Sequence, residues 1–234
     1  MAFKKIDYAL YGGRDPREIG AFTFREAHTA VGVSASTLRW WVRGRDGYRP
    51  PIELSDPESN LLSFINLVEV HVLAAMRRYH GVSLPNIRRA LDYCREHLDV
   101  DRPLAVEPFE TDGVYLFVRR LGEIINASRK GQLVMKSVVE AYLERIDYDD
   151  ARTPIRFYPF LRRSHGMPDL NMKEKVIVVD PLISFGRPVI QGTRIPTSSI
   201  HDRFIAGESV DSIARDYSLK RSLIEEAIRY EEAA

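Results

Sequence analysis

Residues 23–44, TFREAHTAVGVSASTLRWWVRG, contain two helix starts that lie close together in the chain. Thr23, followed three positions later by Glu26, matches a capping box, in which the side chain of each residue binds a backbone N–H of the other. Ser34 is a second N-cap, and the dipeptide Gly32-Val33 supplies a sharp turn between the helices. The predicted shared core consists of Phe24, Ala30, Val33, Leu38 and Trp41. Two short helices joined in this way form a helix-turn-helix.

The residues that follow extend this helical unit. The dipeptide Asp46-Gly47 is a hairpin turn signal between Arg45 and Tyr48. Two further helices are predicted because their apolar residues recur at helical spacing, and Gly81 separates them. Their apolar stripes are Leu61, Ile65, Val68, Val72 and Met76 in the first helix, and Leu84, Ile87, Leu91, Cys94 and Leu98 in the second.

The pattern changes after Arg102-Pro103, where alternating residues replace the helical spacing. Residues 104–120 predict a β-hairpin around Asp112-Gly113, residues 123–128 a third strand, and residues 133–146 a helix. The chain as a whole is therefore predicted to be α+β and mainly α, with a small hairpin and helix in its middle.

Residues 146–172 are rich in proline and charge, so we interpret them as a linker that docks as an extended strand around Phe157–Phe160. A strand at residues 176–180 opens the C-terminal segment. Ser209 is the predicted cap of the middle one of three helices that follow. These helices are predicted at residues 198–207, 210–217 and 221–230. The C-terminal segment is thus a small β element with three helices that resemble a helix-turn-helix.

The composition limits the classes of function. The chain has 234 residues, 34 basic and 33 acidic side chains, and one cysteine. One cysteine excludes an internal disulfide and a cysteine-rich zinc finger, and it fits a reducing cytoplasm. No apolar run approaches the roughly 20 residues of a membrane span, and the N-terminal residues do not form a signal peptide. The net charge of +1 does not identify a nucleic-acid binder. A nucleic-acid interface would have to be recognised from a local cluster of basic residues.

Motifs for catalysis or metal binding are missing from the sequence. It contains no HExxH, P-loop, GxGxxG or GxSxG signature. Cys94 and His97 have a metal-like spacing, but Cys94 falls in the apolar stripe of its helix and is interpreted as a buried structural thiol. Asp147, Asp149 and Asp150 are interpreted as a solvated acidic loop. We predict no catalytic residue, no cofactor and no metal, and the chain is not expected to be an enzyme.

Arginine is concentrated around the helix-turn-helix. Between residues 20 and 49 every basic side chain apart from one histidine is an arginine, against Glu26 and Asp46. A guanidinium can form two hydrogen bonds at once to phosphate or guanine, and the first turns of the second helix face the major groove in such motifs. The predicted DNA-binding residues are Ser34, Ser36, Thr37, Arg39, Trp40, Arg43, Arg45 and Arg49. The alternative is a helical hairpin with a solvated arginine face.

Two stretches resemble the winged helix-turn-helix of MerR-type regulators. They are FTFREAHTAVGVSASTLRWWVRGRDGYRP and LSFINLVEVHVLAAMRRYHGVSLPNIRRAL. The pattern GVSxxTLRWW matches the recognition helix, GYR matches the wing, and HGVSL stands in place of the GxxL turn of the family. The resemblance implies phosphate contacts from Thr37, Arg39, Trp40 and, in the wing, Arg49. The long dimerising coiled coil and the effector cysteines of metal-sensing members are missing, so effector sensing is not implied.

The C-terminal segment resembles a small domain of unknown function found in many VapB-type antitoxins. The hallmark of that domain is DPxI, then GxPVIxGTRIP, then a helix, a glycine and a pair of helices. The matching positions here are Asp180, Pro181, Gly186, Pro188, Gly192, Thr193, Arg194, Ile195, Pro196 and Gly207. Gly192 permits a turn with φ > 0, Pro196 ends the strand, and Arg194 is expected to pair with Asp180. For these residues we favour a role inside the small fold over direct contact with a partner.

The whole arrangement resembles the long VapB-type antitoxins, which are encoded beside PIN-domain ribonuclease toxins. The resemblance implies a cytoplasmic antitoxin that forms a homodimer, binds the toxin and represses its own operon. The implied regions are a MerR-like DNA-binding domain at 1–101, a middle or dimerisation region at 102–151, a linker or docking strand at 152–174, and the antitoxin-associated domain at 175–234.

Toxins of this type hold Mg²⁺ or Mn²⁺ with clustered carboxylates, and a guanidinium could take the place of the metal. The candidate toxin-binding residues are Arg156, Phe160, Arg162, Arg163 and Arg194. Two alternatives stay open at this point. One is a stand-alone MerR-like regulator whose middle region binds an effector, and the other is a protein-interaction adaptor that does not bind DNA.

Overall fold

The computed structural model describes residues 8–44, 47–98, 102–105, 122–123, 129–160, 170 and 173–233. In these residues it contains eight α-helices of eight or more residues and two small antiparallel sheets of two strands each. The predicted class, α+β and mainly α, is confirmed. The predicted positions of the middle hairpin and third strand fall almost wholly outside the described residues. Leu104–Ala105, at the start of that hairpin, lie in a turn, and residues 122–123 are helical.

The first two helices are α1, Phe24–Val31, and α2, Ala35–Arg43. Their predicted caps are confirmed. Glu26 donates its backbone N–H to the Thr23 hydroxyl at 3.2 Å, and its carboxylate accepts the Thr23 N–H at 2.7 Å. The hydroxyl of Ser34 accepts the N–H of Thr37 at 3.3 Å. The predicted shared core is confirmed as well, since Phe24, Ala30, Val33, Leu38 and Trp41 are all buried.

Two longer helices follow, α3, Phe64–His80, and α4, Leu84–Leu98, separated by Gly81 with φ 57°. Helix α3 is more central than its single predicted stripe indicated, because every residue from 62 to 76 is buried. Its first turn is closed by a capping box between Ser63 and Asn66. The helix therefore forms the middle of the main hydrophobic core, and α1, α5 and the strand β2 all pack against it.

The middle region supplies helix α5, Arg129–Leu143, and the strands β1, Ile146–Tyr148, and β2, Pro154–Phe157. The predicted helix is present, and an extended strand is present at Pro154–Phe157, slightly before the predicted Phe157–Phe160. Strand β2 pairs antiparallel with β1, and Phe157 also forms an isolated bridge with Val179. Residues that the sequence indicated as a linker thus join the middle region to the C-terminal segment.

The C-terminal segment holds the strands β3, Ile177–Val178, and β4, Val189–Ile190, which pair antiparallel. Three helices follow, α6, Thr197–Ile205, α7, Val210–Tyr217, and α8, Arg221–Glu232. The Ser209 hydroxyl caps α7, as predicted. A second core, separate from the first, consists of Ile190, Ile200, Ile213, Ala214, Ile224, Ala227 and Ile228.

Arg145 holds the segment around β2 in place through hydrogen bonds. This buried side chain, which follows α5, donates to the carbonyl oxygens of Tyr158 at 3.0 Å, Pro159 at 2.9 Å and Glu174 at 3.0 Å. Burial lowers the pKa of Arg145 to about 10. One guanidinium thereby satisfies the carbonyls of Tyr158 and Pro159, which lie in the buried segment after β2, and also binds the carbonyl of Glu174.

Candidate nucleic-acid interface and partner surface

The connection between α1 and α2 is held by a residue of a third helix. Gly32 has φ 73°, and its N–H donates to the carbonyl of His28 at 2.7 Å. Arg78, near the end of α3, donates to the carbonyl of Val31 at 3.2 Å and to that of Gly32. The guanidinium satisfies carbonyls that the end of a helix leaves open. The connection that leads into α2 is thus fixed against α3.

Helix α2 presents one polar face to solvent. Its apolar face is formed by Leu38, Trp41 and Val42, which are buried in the main core. The structure brings most of the predicted DNA-binding residues together on the other face and the loop that follows. Ser34, Ser36, Arg39, Trp40, Arg43 and Arg49 are exposed, and Thr37 is half-buried. Arg45 lies outside the described residues.

Two arginines of this face rest on one aromatic ring. The Cζ atoms of Arg39 and Arg43 lie 5.1 and 5.4 Å from the ring centre of Phe24 in α1. Arg43 also donates to the amide oxygen of Asn60 at 3.0 Å. Within the described residues no carboxylate pairs with either guanidinium, so both charges are available to an anion.

The hydroxyls at the start of α2 form a small local network. Besides capping the helix, the Ser34 hydroxyl donates to the Thr37 hydroxyl at 2.9 Å and lies 3.1 Å from that of Ser36. These groups are exposed donors and acceptors beside the two stacked arginines. They can exchange partners with a phosphate or a base edge without leaving a buried group unsatisfied.

The residues after α2 extend the basic surface towards α4. Arg49 is exposed and pairs with Glu53. Tyr48, 65% exposed, has the Cζ of Arg88 5.5 Å from its ring centre, and Arg89 is the next residue of α4. Sequence reasoning missed Arg88 and Arg89, although two adjacent arginines in the first turns of α4 were a visible signal. Through the contact with Tyr48, helix α4 thus brings Arg88 beside the loop that follows α2.

The predicted toxin-binding residues differ from one another in burial and in their partners. Arg156 is committed to an ion pair, since its Nε lies 3.0 Å from Oδ2 of Asp180. Phe160 is buried, with its ring centre 4.9 Å from that of Tyr142 and 5.1 Å from the Cζ of Arg145. Arg162 and Arg163 lie outside the described residues. Arg194 is exposed.

The expected pair between Arg194 and Asp180 is wrong. Strand β2 runs beside β3 through the Phe157–Val179 bridge, which places Arg156 next to Asp180. The carboxylate of Asp180 accepts from Arg156 through one oxygen and from the N–H of Leu182, at 2.9 Å, through the other. Arg194 therefore has no carboxylate partner among the described residues. Gly192, in the same turn, has the predicted positive φ, 79°.

Two acidic residues that the sequence indicated as solvated are paired instead. Asp147 accepts from the Tyr158 hydroxyl at 2.6 Å and from the Lys175 ammonium at 3.1 Å. Asp149 accepts from Arg17 at 2.7 Å. Burial and the Asp147 carboxylate raise the pKa of the Tyr158 hydroxyl. These pairs connect the N-terminal and C-terminal parts of the chain to the β1–β2 sheet.

Two titratable groups are buried inside α3. Burial raises the pKa of Glu69 to about 7. The Arg102 guanidinium, 3.0 Å away, and the Asn66 amide lower this pKa, but burial has the larger effect. Burial lowers the pKa of His71 to about 3, and its Nε2 donates to the carbonyl of Tyr142 at 3.0 Å. Both groups are internal to the fold. Cys94, as predicted, is a buried thiol, and burial raises its pKa to about 11.

A cavity of about 560 Å³ lies between α1 and the C-terminal segment. Its walls are mostly apolar, with Phe22, Pro181 and Tyr230 among them, and Phe185 and Arg187 also line it. The volume is within the range of small-molecule sites. Over the described residues no group of three or more histidine, cysteine, aspartate or glutamate side chains could hold a metal ion. The same residues include no helix long and apolar enough to cross a membrane.

The C-terminal segment and the whole chain can each be compared with known proteins. Residues 177–230 match the model of a protein family of unknown function, DUF433. The chain is also similar to the Mycobacterium tuberculosis protein named "Putative antitoxin VapB45". The two are 27% identical over 237 residues, which cover 90% of this chain and 93% of the relative.

A solved structure has the same fold. The X-ray crystal structure of Rv2018 from Mycobacterium tuberculosis superimposes with a TM-score of 0.65 at 22% identity, covering 90% of this chain and 98% of the other. At that identity the likeness establishes the fold alone. The chain is therefore similar to a protein named as an antitoxin over nearly its whole length, and the family match covers its C-terminal segment.

Proposed function

We propose that this protein is the antitoxin of a type II toxin–antitoxin system, which neutralises a PIN-domain ribonuclease toxin by direct binding. The observation that carries the proposal is the likeness to an antitoxin of the VapB type over 90% of the chain. The family match at residues 177–230 agrees with it. In this proposal the protein acts by binding and has no catalytic residue of its own.

The second part of the proposal is that the antitoxin represses its own operon by binding DNA. Arg39 and Arg43, held on Phe24, would place α2 in the major groove as the recognition helix of a MerR-like winged helix-turn-helix. Arg49, Arg88 and Arg89 would contact phosphates beside it. Ser34, Ser36, Thr37, Arg39 and Trp40 would contact base edges or the backbone at the start of the helix. A homodimer would present two such helices about 34 Å apart to a palindromic operator.

Toxin neutralisation would use an exposed arginine. A guanidinium inserted among the carboxylates of a metal-dependent nuclease would replace the cation and block the site. Of the candidates that the structure describes, Arg194 is exposed and without a carboxylate partner, whereas Arg156 and Phe160 are engaged inside the protein. Arg194 is therefore the preferred candidate for this role.

The test is co-expression with the product of the neighbouring open reading frame, followed by size-exclusion chromatography with mass determination. We expect a stoichiometric complex that has lost the ribonuclease activity of the isolated partner and that shifts a DNA fragment from its own promoter. A homodimer that binds the promoter but forms no complex would contradict the antitoxin assignment. Promoter binding without salt dependence would contradict the proposed phosphate contacts.

One observation favours a second candidate, a stand-alone transcription regulator with a small-molecule effector. The cavity of about 560 Å³ is lined by residues of α1 and of the C-terminal segment, so a ligand there would contact the predicted DNA-binding helix pair directly. This location differs from the middle region that the sequence indicated. A screen of metabolites for a change in promoter affinity, in the absence of any partner, separates this function from the antitoxin.

A further inference from the structure

The loop between β3 and β4 has an unusual backbone. Ser184 and Phe185 both have positive φ, 51° and 56°, and Gly186 follows with φ 79°. Side chains with a Cβ rarely adopt this left-handed conformation, and a bulky aromatic residue does so at a cost in conformational energy. The surrounding structure must therefore hold the loop in place.

Several contacts hold it. The Asp180 carboxylate accepts the N–H of Leu182, and its carbonyl accepts the N–H of Ile183, both at 2.9 Å. Gly186 packs so closely on Phe22 that a Cβ at that position would lie 3.2 Å from the ring. Arg156 in turn fixes Asp180 through their ion pair. The loop is thus anchored at both ends, to β2 and to the start of the α1–α2 unit.

This rigid loop carries apolar side chains that face solvent. Phe185 is 83% exposed and Leu182 is 45% exposed. Within the described residues Phe185 has the most exposed large apolar side chain. An aromatic side chain that is held in solvent by a strained and braced backbone has the properties of an interface anchor, because little freedom is lost when it is buried by a partner.

Two arginines flank the apolar pair. Arg187 lies two residues after Phe185, and the Ser184 hydroxyl donates to the carbonyl of Arg194 at 3.3 Å, which places Arg194 beside the loop. Both arginines are exposed, and neither has an ion pair among the described residues. Arg203 of α6 and Arg221 of α8 differ in this respect, since Arg203 pairs with Glu208 and Arg221 with Asp211.

We propose that the toxin binds to this surface, which we call the loop surface and define as Leu182, Phe185, Arg187 and Arg194. The inference rests on the proposed antitoxin function and names its binding site. The two free guanidinium groups match a partner whose site is lined by carboxylates, and the apolar pair matches a recess beside those carboxylates. Phe185 would supply the buried anchor, and Arg194 and Arg187 would supply the charge.

The experiment measures the affinity of the full-length protein for the toxin encoded beside it, by isothermal titration calorimetry. Phe185→Asn removes the aromatic ring and keeps a residue that tolerates positive φ, and Arg194→Glu reverses a charge. We expect at least a tenfold loss of affinity for the first variant and at least a hundredfold loss for the second. Matched controls are Ile205→Asn, at another exposed apolar residue of the C-terminal segment, and Arg215→Glu, at another exposed arginine.

The controls are expected to bind within twofold of the parent protein. Thermal unfolding and binding to the promoter fragment show that each variant is folded. Undiminished toxin binding by Phe185→Asn and Arg194→Glu would overturn the loop surface while leaving the antitoxin function intact. A parent protein that does not bind the toxin would overturn the proposed function and this inference together. A change of oligomeric mass in Phe185→Asn, with toxin affinity unchanged, would assign the surface to a second copy of the chain and overturn the inference.

Discussion

The guanidinium of Arg39 lies over the ring of Phe24, 5.1 Å from its centre, and the guanidinium of Arg43 lies 5.4 Å from the same ring. Phe24 is fixed by the core, since it is only 8% exposed. One buried ring therefore orients two cations of the following helix. Side chains that are already oriented lose less conformational entropy when they bind an anion.

Arg39→Ala is expected to weaken binding to the promoter by about 1–3 kcal/mol, because it removes a positioned donor from the face of α2. Fluorescence anisotropy at one fixed salt concentration measures the change. Arg215→Ala, at an exposed arginine of α7, serves as the control and is expected to leave the affinity unchanged. Equal affinity for Arg39→Ala and the parent protein would show that α2 is not the recognition helix.

Arg49→Gln tests the loop after α2. Its guanidinium is exposed, and we expect it to contact a phosphate, so the variant should lower the salt dependence of promoter binding by about one unit of slope. The measurement is the affinity at four or more salt concentrations, plotted as log K against log salt. Affinity should fall by a similar factor on specific and on unrelated DNA. A slope equal to that of the parent would remove Arg49 from the interface.

Local features, formed by residues that are close together in the sequence, could be predicted from the sequence. The capping box of Thr23 and Glu26, the Ser34 cap and the turn at Gly32 each lie within a few residues, and all are confirmed. The central position of α3 was missed, although FINLVEVHVLAAM has few polar residues on any side of the helix. A helix that is apolar on every side is buried on every side, whereas the spacing of a single apolar stripe indicates burial on one side only.

The contacts between distant residues could not be predicted. Arg17 and Asp149 pair across 132 positions, and Arg145 binds carbonyls in a segment that the composition indicated as a linker. Arg194 and Asp180 belong to the same predicted C-terminal domain, yet the docking of β2 brings Arg156 to Asp180 instead. Charged residues carry no information about which of many opposite charges they meet. The docking of β2 beside Val179 determines that Asp180 pairs with Arg156.

The two buried residues Glu69 and His71 lead to a prediction about how the stability of the protein depends on pH. The pKa of Glu69 rises from 4.5 to about 7 on folding, so between these pH values the folded state holds an extra proton. The stability that Glu69 contributes is therefore lost as the pH rises through this range. The pKa of His71 falls from 6.5 to about 3 on folding, so between these pH values the unfolded state holds the extra proton. The stability that the neutral His71 contributes is therefore lost as the pH falls through this range. Between pH 4.5 and 6.5 the two effects oppose each other.

Glu69→Gln and His71→Phe are expected to separate these contributions. Relative to the parent, the free energy of unfolding of Glu69→Gln should increase with pH by about 1.4 kcal/mol per unit between pH 4.5 and 6.5. For His71→Phe it should decrease with pH at a similar rate. Urea unfolding at three pH values measures both. If both differences are independent of pH, neither group has the titration that its burial implies.

Arg145→Met tests whether the segment around β2 is held by one side chain. The variant keeps much of the apolar volume but leaves the carbonyls of Tyr158, Pro159 and Glu174 without their donor, so we expect a loss of about 2–4 kcal/mol in the free energy of unfolding. Arg145→Lys retains one donor group in place of the fork and should lose less. Arg215→Met, at an exposed position, should change stability by less than about 0.5 kcal/mol. Urea unfolding compares the four proteins. A fully stable Arg145→Met would mean that strand pairing and the Phe157–Val179 bridge suffice to hold the segment, and Arg156 would then be the residue to replace.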